Sequence, residues 1–224
     1  MNLIAIETST ERLSLAASAG GRVRESTRVV GQRHAELVLD ALDALLAEAG
    51  LDRRDLEGVA FGAGPGSFTG VRIAAGVAQG LAFGLGIPVL GVSTLEALAE
   101  PAGAPRVIAC LDARMGEVYC AAYERSGEAW TAVAEPVVCP PEDVAVPAGR
   151  GWLGRGSGFA AYGDALRARL GDALAAIEAE AFPTAAAVLR LATPRLAAGA
   201  GVDPADAQPV YVRDKVALKT SERG

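Results

Sequence analysis

Histidine is almost absent from this sequence, and cysteine is scarce. The 224 residues include a single histidine, His34, and three cysteines, which are Cys110, Cys120 and Cys139. No C-x-x-C pair occurs, and the residue four positions after His34 is Val38, so there is no His-x-x-x-His pair either. Zinc and iron sites are built from such spacings. We therefore expect no metal site made by this chain alone, and three small, reduced, buried thiols.

Aromatic residues and positive charge are also in short supply. Phe, Trp and Tyr make up 5% of the chain, and the formal net charge is −6. Proteins that bind single-stranded nucleic acids stack the bases on aromatic side chains, and contact with phosphates needs a basic surface. The composition therefore argues against independent nucleic-acid binding by this chain.

No segment predicts export or insertion into a membrane. The N-terminus, Met1–Glu7, has no basic region and only four consecutive apolar residues, which is not a signal peptide. From Ile73 to Val92 the only polar side chain is that of Gln79, but this stretch also holds five glycines and Pro88. Such glycine and proline content predicts a buried helix followed by a buried strand rather than a membrane span. We expect a cytoplasmic protein with no membrane partner.

The first hundred residues alternate between strand and helix patterns. Apolar runs bounded by turn residues predict strands at Leu3–Ile6, Leu13–Ser18, Arg22–Val30, Val59–Gly62 and Pro88–Val92. Apolar residues at helical spacing predict helices at His34–Ala49, Thr69–Gly84 and Leu95–Glu100. We expect Ser93 and Thr94 to cap the last of these helices. The order β-β-β-α-β-α-β-α is complete by about residue 100.

The strand and helix pattern restarts after a linker at Pro101–Pro105. Further elements are predicted at Val107–Leu111, Val118–Tyr123 and Ala129–Val138 (strands), and at Phe159–Leu170 and Thr184–Ala192 (helices). Pro194 should end or kink the last helix. Two copies of one β-β-β-α unit predict an α/β fold of the two-lobed actin-like, ribonuclease H-like type. Residues 1–100 would form the first lobe, and residues 106–224 a smaller, eroded second lobe whose C-terminal segment can pack on either lobe.

The most distinctive segment, Gly62–Gly70 (GAGPGSFTG), lies between a predicted strand and a predicted helix. Glycines permit the close approach of another backbone, and a helix N-terminus offers free N–H groups to an anion. A nucleotide phosphate could thus contact Gly64, Gly66, Ser67 and Thr69, although the Gly-Lys-Ser/Thr of a P-loop is missing. A structural turn with Ser67 or Thr69 capping the helix explains the same residues.

The helix after this loop carries small residues at every fourth position. They are glycines at 76, 80 and 84, and alanines at 74, 78 and 82. Each interior glycine costs about 1 kcal/mol relative to alanine, so close approach by another element must offset that cost. Packing inside the chain and a docking face for a partner helix both satisfy this condition.

One carboxylate follows the first strand of each predicted lobe: Glu7 in the first lobe and Asp112 in the second. Actin-type ATPases place an acidic residue there to bind magnesium-linked phosphates. Glu7, however, lies in Glu-Thr-Ser-Thr, without the glycines that usually let phosphate approach. An actin-like topology with degraded ATPase chemistry and a pair of solvated carboxylates with no ligand both fit this pattern.

Several segments, in order and spacing, resemble the bacterial TsaB (YeaZ) family. They are Ile4–Thr10, Gly64–Arg72, Gly91–Leu95, Asp112–Tyr119 and Pro209–Arg213, so the resemblance spans the whole chain. It implies a two-lobed actin-like fold and a paralogue of TsaD. TsaD is the catalytic subunit that places a threonylcarbamoyl group on the tRNA adenosine just 3′ of the anticodon.

The resemblance also implies that this chain is not the catalyst. TsaD-type proteins carry a His-Met-Glu-Gly-His metal motif where this chain has Thr94–Leu98. Glu96 matches the motif, but Thr94 and Leu98 occupy the two ligand positions, and neither can replace imidazole at a metal. We expect no catalytic residue and no cofactor in this chain alone, and no peptidase activity despite the family's older name.

The family pairs with TsaD by packing two helices of the first lobe against their equivalents in a four-helix bundle. This implies an interface within Arg33–Leu46 and Arg72–Phe83, made by Arg33, His34, Leu37, Ala41, Arg72, Ala75, Gly76, Gln79, Gly80 and Phe83. The ATPase TsaE would dock on the TsaB–TsaD pair, with ATP or ADP at the interface of the complex. A homodimer would use the same surface when TsaD is absent, and tRNA would be reached only through the complex.

Other activities stay open on the residues alone. An actin-like fold is compatible with an ATPase or an ATP-dependent phosphotransferase, and the older naming with a metallopeptidase. A serine nucleophile at Ser67 could recruit only His34 as its base. The tail from Arg213 to Gly224 has no predicted place on either lobe.

Overall fold

Two five-stranded mixed sheets form the frame of the protein, whose computed structural model describes residues 1–212. The first sheet contains β1 (Leu3–Glu7), β2 (Arg12–Ala19), β3 (Arg22–Val29), β4 (Gly58–Gly64) and β5 (Val89–Ser93), in the spatial order β3-β2-β1-β4-β5. The second contains β6 (Arg106–Arg114), β7 (Glu117–Ser126), β8 (Ala129–Cys139), β9 (Trp152–Arg155) and β10 (Leu174–Glu178), in the order β10-β9-β6-β7-β8. In each sheet the first strand pairs antiparallel with the second and parallel with the fourth. This repeat confirms the predicted two-lobed α/β fold.

Six helices complete the structure of the described residues. They are α1 (His34–Ala49), α2 (Phe68–Leu85), α3 (Thr94–Ala99), α4 (Ser157–Ala161), α5 (Gly163–Leu170) and α6 (Ala185–Ala197). Helices α1 and α2 cover the outer face of the first sheet, and α4 and α5 that of the second. Helices α3 and α6 lie between the two sheets, where they form one shared core. The layers therefore run helix, sheet, helix, sheet, helix.

Helix α1 follows directly from its sequence pattern. Its buried side chains Val38, Leu42 and Leu45 are spaced by four and three residues, which places them on one stripe against the sheet. Gly50 ends the helix in the left-handed conformation that glycine adopts without strain. The bounds predicted for this helix are confirmed.

Helix α6 comes from the C-terminal part of the chain but packs against β1 and β2 of the first sheet. The backbone N–H of Ala185, its first residue, donates a 2.9 Å hydrogen bond to Ser14 Oγ in β2. Of the two outcomes predicted for Pro194, an end to the helix is wrong, since α6 runs on to Ala197. A kink at Pro194 stays a prediction. Burial of Leu191 and Leu196 on either side of the proline holds the last turn in place.

Other features of the structure differ from what the sequence predicted. The single helix expected at Phe159–Leu170 is two helices, α4 and α5, separated at Tyr162, whose φ of −131° is not helical. Strands β9 and β10 were not predicted, because each is only four or five residues long. Ser93 lies at the N-cap position of α3 but makes no side-chain capping hydrogen bond.

The segment after α6 returns to the first lobe. Val202 exchanges two backbone hydrogen bonds with Val89 in β5, and the N–H of Val210 donates a 2.7 Å bond to the carbonyl oxygen of Ala63 in β4. The tail from Arg213 to Gly224, including the last residue of the Pro209–Arg213 motif, lies outside the described residues.

Candidate functional site

The outer faces of α1 and α2 form the surface where the sequence places a partner. Ser67 is the N-cap residue of α2, and its Oγ accepts a 3.3 Å hydrogen bond from the N–H of Gly70. Gly86 is the C-cap residue and has the left-handed conformation. Ser67 thus caps the helix, as one of the two sequence interpretations of the loop expects.

The two small-residue rows of α2 face opposite ways. Ala74, Ala78 and Ala82 are completely buried against the first sheet. A Cβ atom added at positions 76, 80 or 84 would instead meet no other atom within 4 Å. Packing inside the chain therefore explains the alanines. No contact within the described chain offsets the free-energy cost of placing glycines in the helix.

The exposed glycine row of α2 is followed by a large apolar side chain. Phe83, three residues after Gly80 on the same helix, is 77% exposed. Single exposed apolar residues are common, but this one lies beside a bare helix backbone, and a second helix can approach such a backbone closely. The buried helix predicted for this stretch is thus only partly buried, since six of the 18 residues of α2 lie inside the protein. By length and composition alone α2 could span a membrane, but it leads into β5, which pairs with β4.

The residues predicted for the partner surface fall into three groups by exposure. The exposed ones are Arg33, Arg72, Gly76, Gly80 and Phe83. The half-buried ones are Leu37, Ala41 and Gln79, and the buried ones are His34 and Ala75. The ring nitrogen Nε2 of His34 lies 3.1 Å from the carbonyl oxygen of Arg12, so the imidazole is directed towards β2. Ala75 packs in the core beneath the helix.

Two contacts at this surface could not be predicted from the sequence. Nε2 of Gln79 donates to the carbonyl oxygens of Pro204 and Ala207, at 3.2 and 2.7 Å, so this side chain is engaged with the C-terminal segment. The guanidinium carbon of Arg72 lies 3.3 Å from the ring centroid of Phe68 and 4.8 Å from that of Tyr211. The C-terminal segment therefore adds an aromatic ring to the surface of α2, through a contact between residues distant in sequence.

The glycine-rich loop is packed against the turn that follows β1. The N–H of Ser67 donates a 2.8 Å bond to the carbonyl oxygen of Ser9, and Thr8 Oγ1 donates a 2.7 Å bond to the carbonyl oxygen of Gly70. A Cβ on Gly66 would lie 2.8 Å from that same oxygen of Ser9. The backbone to which these glycines allow close approach is therefore the chain's own.

Glu7 lies beneath this loop and is 1% exposed. Its Oε1 accepts a 2.6 Å hydrogen bond from the N–H of Ser9, and a Cβ on Gly62 would overlap its Oε2. Burial raises the pKa of Glu7, and hydrogen bonds from Ser9 and Thr94 offset only part of that effect. A buried carboxyl group with a raised pKa is poorly suited to hold a magnesium-linked phosphate.

The remaining predicted phosphate contacts lie in two separate places. Thr69 is exposed on the first turn of α2, and the N–H of Gly64 donates a 3.1 Å bond to Thr94 Oγ1. Asp112 lies in the other sheet, where Oδ2 forms a 3.0 Å ion pair with Arg114 and Oδ1 accepts a 3.4 Å bond from the hydroxyl of Tyr162. The structure thus groups Glu7, Gly64, Gly66 and Ser67 around one turn and places Asp112 among residues of the second lobe.

The Thr94–Leu98 segment forms most of α3, in the core between the sheets. The carboxylate of Glu96 forms an ion pair with both terminal nitrogens of Arg195 in α6, one of them at 3.1 Å. Leu98 is fully buried and would contact a Cβ on Gly156. Among residues 1–212 no group of three or more His, Cys, Asp or Glu side chains could hold a metal ion.

The three thiols lie in or beside the core of the second lobe. Cys110 and Cys120 occupy facing positions on β6 and β7 and are buried, whereas Cys139 is half-buried. Burial raises the pKa of Cys139 to about 11, whereas the contact with Cys120, followed by burial, raises the pKa of Cys110. A thiol whose pKa is raised is a poor nucleophile near neutral pH. The expectation of buried thiols is confirmed for Cys110 and Cys120 and is wrong for the half-buried Cys139.

Comparison with known proteins gives one consistent result. Residues 7–219 match the family model described as "TsaD: tRNA N6-adenosine threonylcarbamoyltransferase". The chain is 38% identical to the tRNA threonylcarbamoyladenosine biosynthesis protein TsaB of Escherichia coli (strain K12), over 98% of this chain and 97% of that protein. It is 34% identical to the protein of the same name from Haemophilus influenzae, over 98% and 96%. The solved structure of YeaZ from Pseudomonas aeruginosa superimposes with a TM-score of 0.88 and 42% identity, over 94% of this chain and 99% of that one.

Proposed function

Because the chain belongs to the TsaB (YeaZ) family, within the wider tRNA N6-adenosine threonylcarbamoyltransferase family, we propose that it acts in the biosynthesis of threonylcarbamoyladenosine in tRNA. Its role there is that of a non-catalytic subunit that binds the catalytic subunit TsaD and favours its active conformation. A subunit can do this only if it binds that conformation more tightly than the inactive one.

The observation that carries this proposal is the bare outer face of α2. Three glycines in a helix interior cost about 1 kcal/mol each, and nothing in the described chain lies against them. A partner helix that packs closely on Gly76 and Gly80 offsets this cost, and Phe83 supplies apolar area beside these glycines. TsaD has the same fold family, so its equivalent helices are the natural partners for α1 and α2.

The absence of a catalytic role is supported by the residues at the positions of the TsaD metal motif and by the surroundings of Glu7. Thr94 and Leu98 offer no imidazole to a metal, and Glu96 is already paired with Arg195. Glu7 is buried under a loop that its own chain fills. Catalysis would then reside in TsaD. ATP hydrolysis would be carried out by TsaE docked on the TsaB–TsaD pair, with ATP or ADP at the interface of that complex.

Several finer points follow from the same proposal. The isolated chain would form a homodimer through the α1 and α2 surface, because the exposed side chain of Phe83 is then covered by a second copy. The complex would work in the cytoplasm, where its tRNA substrate is found. The alternative function, an ATPase or ATP-dependent phosphotransferase, predicts ATP turnover by the purified chain without partners.

The test is complex formation with the cognate TsaD, measured by size-exclusion chromatography with light scattering. Gly80→Leu adds a side chain where the isolated chain has open space, so the fold is kept and the approach of a partner helix is blocked. Ala168→Leu makes a comparable change on an exposed position of α5 in the second lobe. We expect a heterodimer with wild type and with Ala168→Leu, and binding weakened by at least tenfold with Gly80→Leu.

A wild-type chain that stays apart from folded TsaD would contradict the proposal. ATP turnover by that chain would then favour the alternative. Equal binding by Gly80→Leu and wild type would move the interface away from α2.

A further inference from the structure

Strand β3, at the free edge of the first sheet, is exposed along its whole length. None of its eight residues is buried. Arg22, Arg24 and Arg28 occupy even-numbered positions, and in a strand such positions project from one face. Ser26 fills the remaining position of that row. The strand therefore presents three guanidinium groups on a single face.

The pairing with β2 identifies this face. Arg28 lies opposite Leu13 and Arg24 opposite Ala17. Leu13 and Ala17 belong to the core beneath α1 and α2. The arginine row is thus on the same side of the sheet as the proposed partner surface, beside α1.

Unlike most other arginines, these three have no charged, carbonyl or aromatic side-chain partner among residues 1–212. Most arginines of residues 1–212 contact a carboxylate, a carbonyl oxygen or an aromatic ring. The arginines for which residues 1–212 provide no such contact are Arg22, Arg24, Arg28, Arg54 and Arg167. Three of these five lie in the row on β3, so the unpaired positive charge of the described chain is concentrated on this strand.

We propose that the arginine row of β3 binds the phosphate backbone of the tRNA substrate, alongside the surface that TsaD covers. This inference rests on the proposed function for the identity of the RNA. At about 3.4 Å per residue, Arg22 and Arg24 are about 7 Å apart and the row is about 20 Å long, which is enough to follow several nucleotides. No aromatic side chain lies on β3, so the row contacts backbone and not bases, and it positions the RNA without reading its sequence.

The net charge of −6 is compatible with this role. Binding to phosphates depends on the local arrangement of cations and on the counterions that they release, and both are set by the contact surface rather than by the whole chain. A contact of this kind contributes to affinity only when the rest of the RNA is held by TsaD, so the row acts within the complex.

A charged edge strand also serves to prevent sheets from pairing edge to edge. That role requires only that the arginines be charged. It predicts more self-association when they are removed and no change in RNA binding. The two roles are therefore separable by experiment.

The experiment measures binding of an unmodified tRNA transcript by filter retention at several salt concentrations, for the full chain alone and mixed with cognate TsaD. The test variant carries Arg22→Gln, Arg24→Gln and Arg28→Gln together. The control carries Arg54→Gln and Arg167→Gln, which remove unpaired arginines elsewhere. Chromatography with light scattering and a thermal melt accompany each variant.

We expect the test variant to keep its fold and its TsaD complex, and to bind tRNA at least tenfold more weakly at low salt. The logarithm of the tRNA binding constant decreases with the logarithm of the salt concentration. The magnitude of this slope should be smaller by about 2 to 3 in the test variant, since each lost phosphate contact removes about 0.7 to 0.9 from it. The control should change the slope by less than half as much.

Unchanged tRNA binding by the test variant overturns the inference. Unchanged tRNA binding with increased self-association assigns the row to edge protection, and loss of TsaD binding instead assigns it to a protein contact. If wild type forms no complex with TsaD, the proposed function fails. If the complex forms and the test variant within it binds tRNA as wild type does, only the inference fails.

Discussion

The side-chain amide of Gln79 in α2 donates a 2.7 Å hydrogen bond to the carbonyl oxygen of Ala207, 128 residues further along the chain. The same nitrogen also donates to the carbonyl oxygen of Pro204. One half-buried side chain thus anchors the segment in which Tyr211 lies against the guanidinium of Arg72, which also contacts the ring of Phe68. The surface around α2 is therefore formed both by α2 itself and by a segment near the C-terminal end of the described residues.

Replacing Gln79 with Glu should release this segment. The substitution keeps the shape of the side chain but puts an acceptor oxygen opposite two carbonyl oxygens, so both hydrogen bonds are lost. We expect a destabilisation of about 1 to 3 kcal/mol, measured by chemical denaturation, and faster proteolysis within residues 203–212. Gln32→Glu makes the same change at an exposed position and should alter neither. Equal proteolysis of the two variants would contradict the anchoring role.

Alanine substitutions at Gly80 and Gly70 should change the free energy of unfolding in opposite directions. In the monomer Gly80→Ala meets open space, so at protein concentrations low enough to keep the chain monomeric it should gain about 0.5 to 1 kcal/mol from the better helix former. A Cβ at Gly70 would overlap the carbonyl oxygen of Thr8, and backbone cannot yield cheaply. We expect Gly70→Ala to destabilise the chain by about 2 kcal/mol or more. Thermal melts of both variants beside wild type test this, and a stabilised Gly70→Ala would refute the packing of the loop.

The stability of the chain should depend on the ionisation of Glu7. Its pKa is raised above 4.5 by burial, so the folded state binds this proton more tightly than the unfolded state does. The stabilisation from the protonated form is fully present below about pH 4.5 and is lost as pH rises through the folded-state pKa. Glu7→Gln cannot ionise, so its stability relative to wild type should rise with pH over that window and then level off.

Denaturation of Glu7→Gln and wild type between about pH 4 and pH 9 measures this difference. The exposed Glu48 provides the control, because Glu48→Gln should give a small difference with no comparable rise. A difference for Glu7→Gln that is flat across the range would mean that the buried carboxyl carries no penalty when ionised.

The ion pair between Glu96 and Arg195 should contribute more to the free energy of unfolding than an ion pair on the surface does. Glu96 is 7% exposed, so Arg195→Met leaves a buried carboxylate without its cation. We expect a loss of about 2 to 4 kcal/mol in the free energy of unfolding. Arg53→Met breaks a pair with the exposed Asp43 and should cost less than about 1 kcal/mol. Glu96→Leu combined with Arg195→Met should cost less than the sum of the single changes, and simple additivity would show that the two side chains are not coupled.

The sequence predicts the elements whose pattern is local. The leucine and valine spacing of α1 gives its bounds without error, because the period of a helix and the left-handed stop at Gly50 are both visible in the chain. The repeat of strands and helices likewise predicts the two-lobed fold. The two helices proposed to bind the partner are predicted by the sequence, and their role by the family resemblance.

The orientation of α2 and the last contacts around it could not be predicted. Glycine and alanine both repeat every fourth residue, and both are small, so the pattern does not say which row faces the sheet. Strand β10 (LAAIE) is rich in alanine and gives no strand pattern, yet it pairs in parallel with β9. The bond from Gln79 to Ala207 joins positions that nothing in the local sequence relates. Contacts of this kind depend on the whole fold.

The place of α6 has a consequence for how the protein is made. The strands of the first sheet are complete at Ser93, but the face of that sheet which α6 covers stays open until residues 185–197 have been synthesised. A nascent chain that ends after β10 would expose Leu3, Ala5 and Ala16 to water and to other chains. A gene truncated before α6 would therefore yield an aggregating product rather than a smaller working lobe, and ribosome-bound intermediates of this length are natural clients for a chaperone.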